Sequence, residues 1–224
     1  MKKYAVIVAG GSGQRMGNAV PKQFLLLGGK SLLWYSLHTF LDAFDDMQII
    51  LVLPKENMAE GEQLAKELEA ENRIMITAGG NTRFHSVQNG LALVDSPSVV
   101  FVHDGVRCLL SKALIHRCYE QAVEKGSAIP AVAATDSIRI VNGTDHTVTD
   151  RNHVRIIQTP QTFVSAILLP AFNTNYQDSF TDEATVVEAS GQQVFLIEGE
   201  YENIKITRPA DLLIAEQILS SRQA

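Results

Sequence analysis

A glycine-rich segment near the N-terminus carries the residues best suited to chemistry. Residues 9–16 read A-G-G-S-G-Q-R-M, and P-K-Q-F follows at 21–24. The backbone N–H groups of such a loop can surround phosphate oxygens, and Arg15 and Lys22 place two positive charges close to them. The segment therefore predicts a nucleoside triphosphate site. A glycine turn with two solvated surface cations is the alternative interpretation.

Two better-known glycine motifs do not fit this chain. A dinucleotide fingerprint, G-x-G-x-x-G, counted from Gly11 requires glycine at the position of Met16. A P-loop that ends in the G-K-S of residues 29–31 requires its first glycine at Phe24. A dinucleotide-dependent oxidoreductase is therefore disfavoured, and Ser31 is predicted to cap a helix.

Composition narrows the class of protein. A chain of 224 residues that is 46% hydrophobic can bury a core of ordinary size, and we expect one domain over 1–224. Since there is no long apolar stretch and no signal-peptide pattern, we expect a cytoplasmic protein without membrane contact. A net charge of −6 argues against nucleic-acid binding. Cys108 and Cys118 lack metal-ligand spacing, so we expect reduced thiols, neither of them a strong nucleophile.

Apolar runs alternate with helical patterns through the first 133 residues. The predicted strands are 4–9, 48–53, 73–77, 98–102 and 127–133, and the predicted helices are 31–43, 57–71, 82–94 and 111–125. This alternation predicts an α/β fold, a Rossmann-like and mostly parallel sheet with helices on both faces. Ligands of such sheets bind at the carboxyl ends of the strands, where the glycine-rich segment, Gly79 and residues 103–107 all fall.

The rest of the chain is less regular. The predicted elements there are a helix near 165–175, a capped helix from about Thr181, a strand at 193–197, a strand around Lys205 and a last helix that opens on Pro209. Pro209 suits the first helical position because its missing N–H has no partner to lose there. Earlier in the chain, Gly126 is predicted to end the helix over 111–125 as its C-cap.

The alternation breaks between about 134 and 155. Residues 137–141 and 144–149 alternate with period two around Asn142-Gly143, the preferred pair for a type I′ turn. We therefore predict a projecting β-hairpin arm. Because an isolated hairpin is marginal in water, we expect it to pack on a second subunit of a homodimer. A hairpin folded back on its own domain is the alternative.

Three later groups of residues could complete a phosphate-transfer site. Asp104 can bind a ribose or polyol hydroxyl or a magnesium ion, and Arg107 can bind phosphate; a structural ion pair between them is the alternative. Lys205 is predicted to reach a phosphate from a strand end, although an edge-strand lysine that discourages aggregation would look the same. The turn at 79–83, with Ser86, could read a pyrimidine base.

Taken in order along the chain, these motifs resemble the 2-C-methyl-D-erythritol 4-phosphate cytidylyltransferase family. The resemblance runs from A-G-G-S-G-Q-R-M through P-K-Q, G-G-N-T-R-x-x-S, H-D-G-V-R, T-D-R-N, T-P-Q-T-F and T-D-E-A to N-I-K-I-T-R-P-x-D-L. It implies transfer of CMP from CTP to methylerythritol phosphate, with release of pyrophosphate, in non-mevalonate isoprenoid synthesis. It also implies a divalent cation such as Mg²⁺, bound mainly through the CTP phosphates, and a homodimer whose arm crosses to the other subunit.

The resemblance also implies roles for individual residues. The predicted nucleotide-binding residues are Ala9, Gly10, Gly11, Gly80, Asn81, Arg83, Ser86, Asp104 and Gly105. The predicted catalytic residues are Arg15, Lys22, Arg151 and Lys205. The predicted contacts of the polyol phosphate are Arg107, Ser137, Arg151 and Thr181, with Arg151 supplied by the neighbouring chain.

Some positions leave alternatives open. The chain reads H-D-G-V-R-C at 103–108, where the family often reads H-D-A-A-R-P, and Asn81 replaces a common aspartate. Val106 and the N-terminal motif are also similar to the ribitol-5-phosphate cytidylyltransferases, so synthesis of CDP-ribitol is the alternative function. A nucleotide sensor without turnover is a third interpretation, and the four predicted catalytic cations argue against it.

Overall fold

The computed structural model describes residues 1–10 and 20–223, and of Gln223 only the backbone. Its strands are β1 (Lys2–Val8), β2 (Leu26–Leu27), β3 (Lys30–Ser31), β4 (Met47–Leu53), β5 (Ile74–Ala78), β6 (Ser98–Asp104), β7 (Ser127–Ala133), β8 (Ile138–Asn142), β9 (Asp145–Thr149), β10 (Arg155–Ile157), β11 (Gln161–Val164) and β12 (Leu196–Glu198). Its helices are α1 (Leu32–Ala43), α2 (Met58–Glu67), α3 (Arg83–Leu91), α4 (Lys112–Lys125), α5 (Ser165–Ala171), α6 (Glu183–Ala189) and α7 (Pro209–Gln223). The predicted α/β class is confirmed.

The central sheet has the strand order β10-β7-β11-β6-β1-β4-β5, and β12 pairs with β7. The neighbours β6, β1, β4 and β5 are all parallel, as predicted. Strand β11 runs antiparallel between β6 and β7, an insertion that the alternation did not predict. Helices α1, α2 and α4 pack on one face and α3, α5 and α6 on the other, so the sheet is covered on both sides.

Local chemistry explains several of the element boundaries. The Ser31 hydroxyl accepts the Trp34 N–H at 3.1 Å and caps α1 as predicted. Gly126 ends α4 in the left-handed region with φ +91°, also as predicted. The predicted helix over 57–71 ends early, since Glu69 adopts φ +51°. The last helix does open on Pro209.

The prediction of a strand around Lys205 is wrong. Residues 203–207 form no strand, because the amides of Asn203 and Ile204 make local turn bonds to Glu200 and Glu202 rather than ladder bonds. The Ile206 N–H reaches the Val106 carbonyl at 3.1 Å and holds this segment beside β6. The lysine is therefore placed by a loop that crosses the sheet end.

Strands β8 and β9 form a separate two-stranded sheet, here called the hairpin arm (residues 138–149). Residues 139–148 are all exposed, so the arm projects as predicted and does not fold back on its own domain. The type I′ turn is wrong: Asn142 pairs with Asp145, and Gly143 alone adopts a positive φ, at +62°. A positive φ at only the first central residue is the pattern of a type II′ turn.

Two further expectations concern the whole chain. Among the residues that the structure describes, no helix has the length and apolar character needed to span a membrane. Cys108 and Cys118 are free and buried, and burial raises the pKa of each thiol to about 12. Both thiols are therefore poor nucleophiles, as expected.

Candidate active site

A cavity of about 260 Å³ opens at the carboxyl ends of β1 and β6. Its lining residues are Val8, Ala9, Gly10, Lys22, Gln23, Gly80, Asn81, Thr82, Arg83, Ser86, Asp104, Val106 and Lys205. The structure thus gathers most of the predicted nucleotide-binding residues and two of the predicted cations. Gly11 and Arg15 lie outside the described residues.

A second cavity, of about 180 Å³, adjoins the first. Arg107 and Thr181, both predicted to contact the polyol phosphate, line it together with Gln158, Thr159, Gln161 and Asp182. Three charged residues, Arg83, Asp104 and Lys205, line both cavities. The two cavities therefore share a charged wall.

The wall is a chain of alternating charges. Asp104 accepts from Arg83 Nε at 3.1 Å through one carboxylate oxygen and from Lys205 Nζ at 2.8 Å through the other. The Arg83 guanidinium also makes a bidentate pair with buried Glu183, with Nη2 at 3.1 Å from Oε2. Such pairing fixes the Arg83 fork and the Asp104 carboxylate in one orientation.

The charges of this wall shift each other's ionisation. Burial would raise the pKa of Asp104, but the charges of Arg83 and Lys205 outweigh burial and hold that pKa well below its usual range. Burial would lower the pKa of Arg83, and the Glu183 and Asp104 carboxylates outweigh it and raise that pKa. Asp104 is therefore an ionised acceptor throughout the physiological range.

The turn before α3 shapes one side of the larger cavity. The Gly80 N–H donates to the Ser86 hydroxyl at 3.1 Å, and that hydroxyl donates to the Thr82 carbonyl at 2.9 Å. A Cβ at Gly80 would lie 2.4 Å from the Cβ of His85, so only glycine fits. Ser86 thus holds the turn through these two hydrogen bonds, and Gly80 and Asn81 line the cavity.

One interpretation near β6 requires correction. The alternative of an ion pair between Asp104 and Arg107 is wrong for the described residues, because the Arg107 guanidinium donates to the carbonyls of Asn203 (2.8 Å) and Ile157 (3.4 Å). Gly105 is not among the lining residues of these two cavities, and its contact with the nucleotide stays a prediction. Its N–H donates to the Val8 carbonyl at 3.0 Å and connects β6 to β1.

Ser137 and Arg151 are not brought to either cavity within this chain. Both are exposed at the base of the hairpin arm. The Arg151 Nη1 donates to the Thr135 carbonyl at 2.6 Å. Their contact with the polyol phosphate stays a prediction.

Residue-level prediction missed several groups that shape the smaller cavity. Gln161, fully buried, accepts the Ala184 N–H at 2.8 Å and donates to Asp182 at 2.9 Å, which orients the start of α6. The motifs T-P-Q-T-F and T-D-E-A were the available signal for these residues. Glu183 gave no signal of its own, because an acid in the first turn of a helix is ordinary.

A mostly parallel α/β sheet with Gly10, Lys22, Arg83 and Lys205 lining a cavity at its strand ends, and a second cavity beside it, is the arrangement expected of a nucleotidyltransferase. The chain belongs to the 2-C-methyl-D-erythritol 4-phosphate cytidylyltransferase (IspD) family, whose model matches residues 4–221. The predicted family is thereby confirmed.

Individual relatives agree with the family. The enzyme of that name from Bacteroides fragilis is 44% identical over 219 residues, which cover 98% of this chain and 100% of the relative. The Geobacillus kaustophilus enzyme is 38% identical over 228 residues, with complete coverage of both chains. These relatives favour methylerythritol phosphate over the ribitol phosphate alternative.

Solved structures give the same result. The 4-diphosphocytidyl-2C-methyl-D-erythritol synthase of Anaerococcus prevotii has a TM-score of 0.83 at 28% identity, covering 97% of this chain and 96% of its own. The 2-C-methyl-D-erythritol 4-phosphate cytidylyltransferase of Thermus thermophilus has a TM-score of 0.75 at 31% identity, covering 96% and 98%.

Proposed function

We propose that the protein transfers CMP from CTP to 2-C-methyl-D-erythritol 4-phosphate and releases pyrophosphate. The shared wall of Arg83, Asp104 and Lys205 is the observation that carries this proposal. CTP in the larger cavity and a phosphate monoester in the smaller one would meet at this wall. Binding both reactants side by side supplies the proximity that a two-substrate transfer needs.

The proposed chemistry is an in-line displacement. A phosphate oxygen of the polyol phosphate forms a bond to the α-phosphorus of CTP, while the bond from that phosphorus to the bridging oxygen breaks and pyrophosphate leaves. The second pKa of a phosphate monoester lies near 6, so the nucleophile is already ionised at neutral pH. No protein side chain has to remove a proton, which accounts for a site rich in cations.

The protein's part is to bind and to stabilise charge. Lys22 and Lys205 line the larger cavity, and with Arg15 they would stabilise the negative charge that grows at the α-phosphate. The backbone around Gly80, Asn81 and Ser86 would hold the cytosine, and Asp104 the ribose. Arg107 and Thr181 would hold the polyol phosphate in the smaller cavity.

The described residues fit a divalent cation that is bound mainly through the phosphates of the substrate. Of the described residues, no group of three or more His, Cys, Asp or Glu side chains could hold a metal ion. Mg²⁺ often keeps several waters and binds through one or two carboxylates and substrate phosphates. We therefore propose Mg²⁺ held mainly by CTP phosphate oxygens. When bound, the ion would neutralise part of the triphosphate charge.

The proposed active unit is a cytoplasmic homodimer. Ile140, Val141 and Val148 expose large apolar side chains on the hairpin arm, and such surfaces are typical of subunit contacts. Packing the arm on a second copy would cover them and bring Ser137 and Arg151 to the partner's smaller cavity. The two free buried thiols fit a reducing compartment.

The test is a pyrophosphate-release assay with CTP and either 2-C-methyl-D-erythritol 4-phosphate or ribitol 5-phosphate. We expect turnover with the first and little with the second. Faster release with ribitol 5-phosphate would replace the proposed substrate. CTP binding by calorimetry without release on either substrate would instead support a nucleotide sensor.

A further inference from the structure

His103 is a fully buried histidine for which the proposed mechanism has no use. Its Nε2 lies 3.3 Å from the Arg107 carbonyl oxygen, and its Nδ1 lies 3.0 Å from the Thr159 hydroxyl. The ring also packs edge-on against Phe40, with centroids 5.3 Å apart. Both ring nitrogens are thus bonded to residues that line the smaller cavity.

The directions of these hydrogen bonds follow from the acceptors. A carbonyl oxygen can only accept, so Nε2 must carry the proton and Nδ1 must present a lone pair. The Thr159 hydroxyl must then donate to Nδ1, which leaves its oxygen free to accept the Asp104 N–H at 3.0 Å. A neutral ring with its proton on Nε2 satisfies every group, and burial lowers the pKa of His103 to about 3.

The bonds close into a ring that joins three distant segments. Arg107 Nη1 donates to the Asn203 carbonyl at 2.8 Å, and Asn203 Nδ2 donates to the Thr159 carbonyl at 2.9 Å. With the two bonds of His103, these connect residues 103–107, 159 and 203. Asp104 and Arg107 belong to the first segment, and Lys205 follows the third by two residues.

We infer that His103 is a positioning residue whose Nδ1 holds the shared wall through the Thr159 hydroxyl and the Asp104 N–H, and whose Nε2 holds the smaller cavity through the Arg107 carbonyl. Thr159 and Arg107 both line the smaller cavity, and only the path through Asp104 also reaches the larger one. This inference rests on the proposed function only for its kinetic readout.

Two substitutions divide the two duties. His103→Asn places an amide oxygen near the position of Nδ1 and keeps the acceptor for Thr159, but it loses the donor to Arg107. His103→Gln places an amide nitrogen near the position of Nε2 and keeps that donor, but it loses the acceptor. Phe101→Leu is the matched control, because Phe101 is equally buried in β6 and packs on the same Phe40 ring without bonding the wall.

We expect different patterns from the two variants in the pyrophosphate-release assay. His103→Asn should raise KM for the polyol phosphate by about 10-fold with little effect on KM for CTP, whereas His103→Gln should raise KM for CTP by about 10-fold, as loss of one buried hydrogen bond predicts. Phe101→Leu should leave both KM values within about 2-fold while lowering Tm. Equal ratios of the two KM values in the Asn and Gln variants would overturn the inference.

A second measurement needs no variant and no turnover. Long-range ¹⁵N–¹H spectra of the wild-type histidine rings at pH 6 should show one neutral ring protonated on Nε2, and its signal should be absent in His103→Asn. A ring protonated on Nδ1, or a charged one, would overturn the inference whatever the kinetics show. Wild-type protein that gives this spectrum but no pyrophosphate release would instead remove the proposed function.

Discussion

Residues 103–107 include Arg107, and the base of the hairpin arm carries Ser137 and Arg151. All three are predicted to contact the polyol phosphate, but the two regions hold these residues in opposite ways. The segment 103–107 is almost wholly buried, and its polar groups pair with Thr159 and Asn203. The arm is exposed over 139–148 and pairs mainly with itself. The first region is packed inside the domain, and the second would find its packing partner only in the proposed homodimer.

This difference separates two ways of placing a charged group. Arg107 is oriented by backbone carbonyls inside the domain, so its position follows from folding alone. Among the described residues, the Arg151 side chain bonds one carbonyl, at the base of the arm, so in the proposed homodimer its contribution would depend on where the second subunit sits. The nucleotide side should therefore tolerate loss of the proposed dimer better than the polyol side.

The largest expected effect tests this division directly. Lys22→Ala and Arg151→Ala should each lower kcat by at least ~100-fold, the cost of losing one preorganised donor. Refolding the two inactive variants together should restore about one quarter of wild-type activity, because half of the dimers then contain one intact site. Pyrophosphate release from the mixture, against each variant refolded alone, is the measurement. A mixture no more active than its parts would place Arg151 outside the partner's site.

The chain's alternation was enough to predict most of the sheet, and the arm, because each of those elements carries its own periodicity. Strand β11 escaped prediction because four residues beside a proline have no periodicity, and only β6 and β7 determine where they pair. The wrong prediction of a strand around Lys205 has a related cause. Residues 203–207 have the apolar pattern of a strand, but in the described structure no neighbouring strand forms ladder bonds with them.

Prediction of the site was uneven for a related reason. Glycines and charged residues near strand ends suggest phosphate or hydroxyl binding directly. The positions of Lys22, Asp104 and Lys205 at the larger cavity could therefore be predicted from residue type and place in the chain. The ring through His103 was not found, because its partners include backbone carbonyls that no residue letter reports. Neutral positioning groups of this kind become visible only once the chain segments meet.

An effect of intermediate size concerns the buried His103 and the pH dependence of the free energy of unfolding. Burial dominates the low pKa of His103, with Asp104 opposing it and Arg107 and Arg83 reinforcing it. The ring stays neutral when folded and takes up a proton near pH 6.5 when unfolded, so acid favours the unfolded chain. Between pH 7.5 and 5.5 this group should remove about 1.4 kcal/mol from the free energy of unfolding.

Comparison with His103→Gln isolates that contribution. Urea denaturation at both pH values and one protein concentration should show the wild type losing about 1.4 kcal/mol more than the variant, since the other histidines are common to both. Parallel losses in the two proteins would mean that His103 titrates normally in the folded state.

The smallest effect contrasts a glycine of the arm with a glycine of the folded domain that ends α4. Gly143 adopts φ +62° at the arm's turn with open space around it, whereas Gly126 adopts φ +91° with Ile167 Cδ1 only 2.6 Å from the place where an alanine Cβ would lie. Gly143→Ala should cost ~1 kcal/mol in the arm alone, the ordinary penalty for left-handed backbone. Gly126→Ala should cost roughly 2 kcal/mol or more in global unfolding, since strain and overlap add.

Amide exchange of β8 and β9, together with urea denaturation, distinguishes these two costs. Faster exchange confined to the arm is expected for Gly143→Ala, with an unchanged urea midpoint, because the arm can open while the domain stays folded. An equal fall in the midpoint for both variants would show that the arm and the domain unfold as one unit. In that case the arm owes its position to the folded domain as firmly as residues 103–107 do, and the contrast between the two regions would lie in exposure alone.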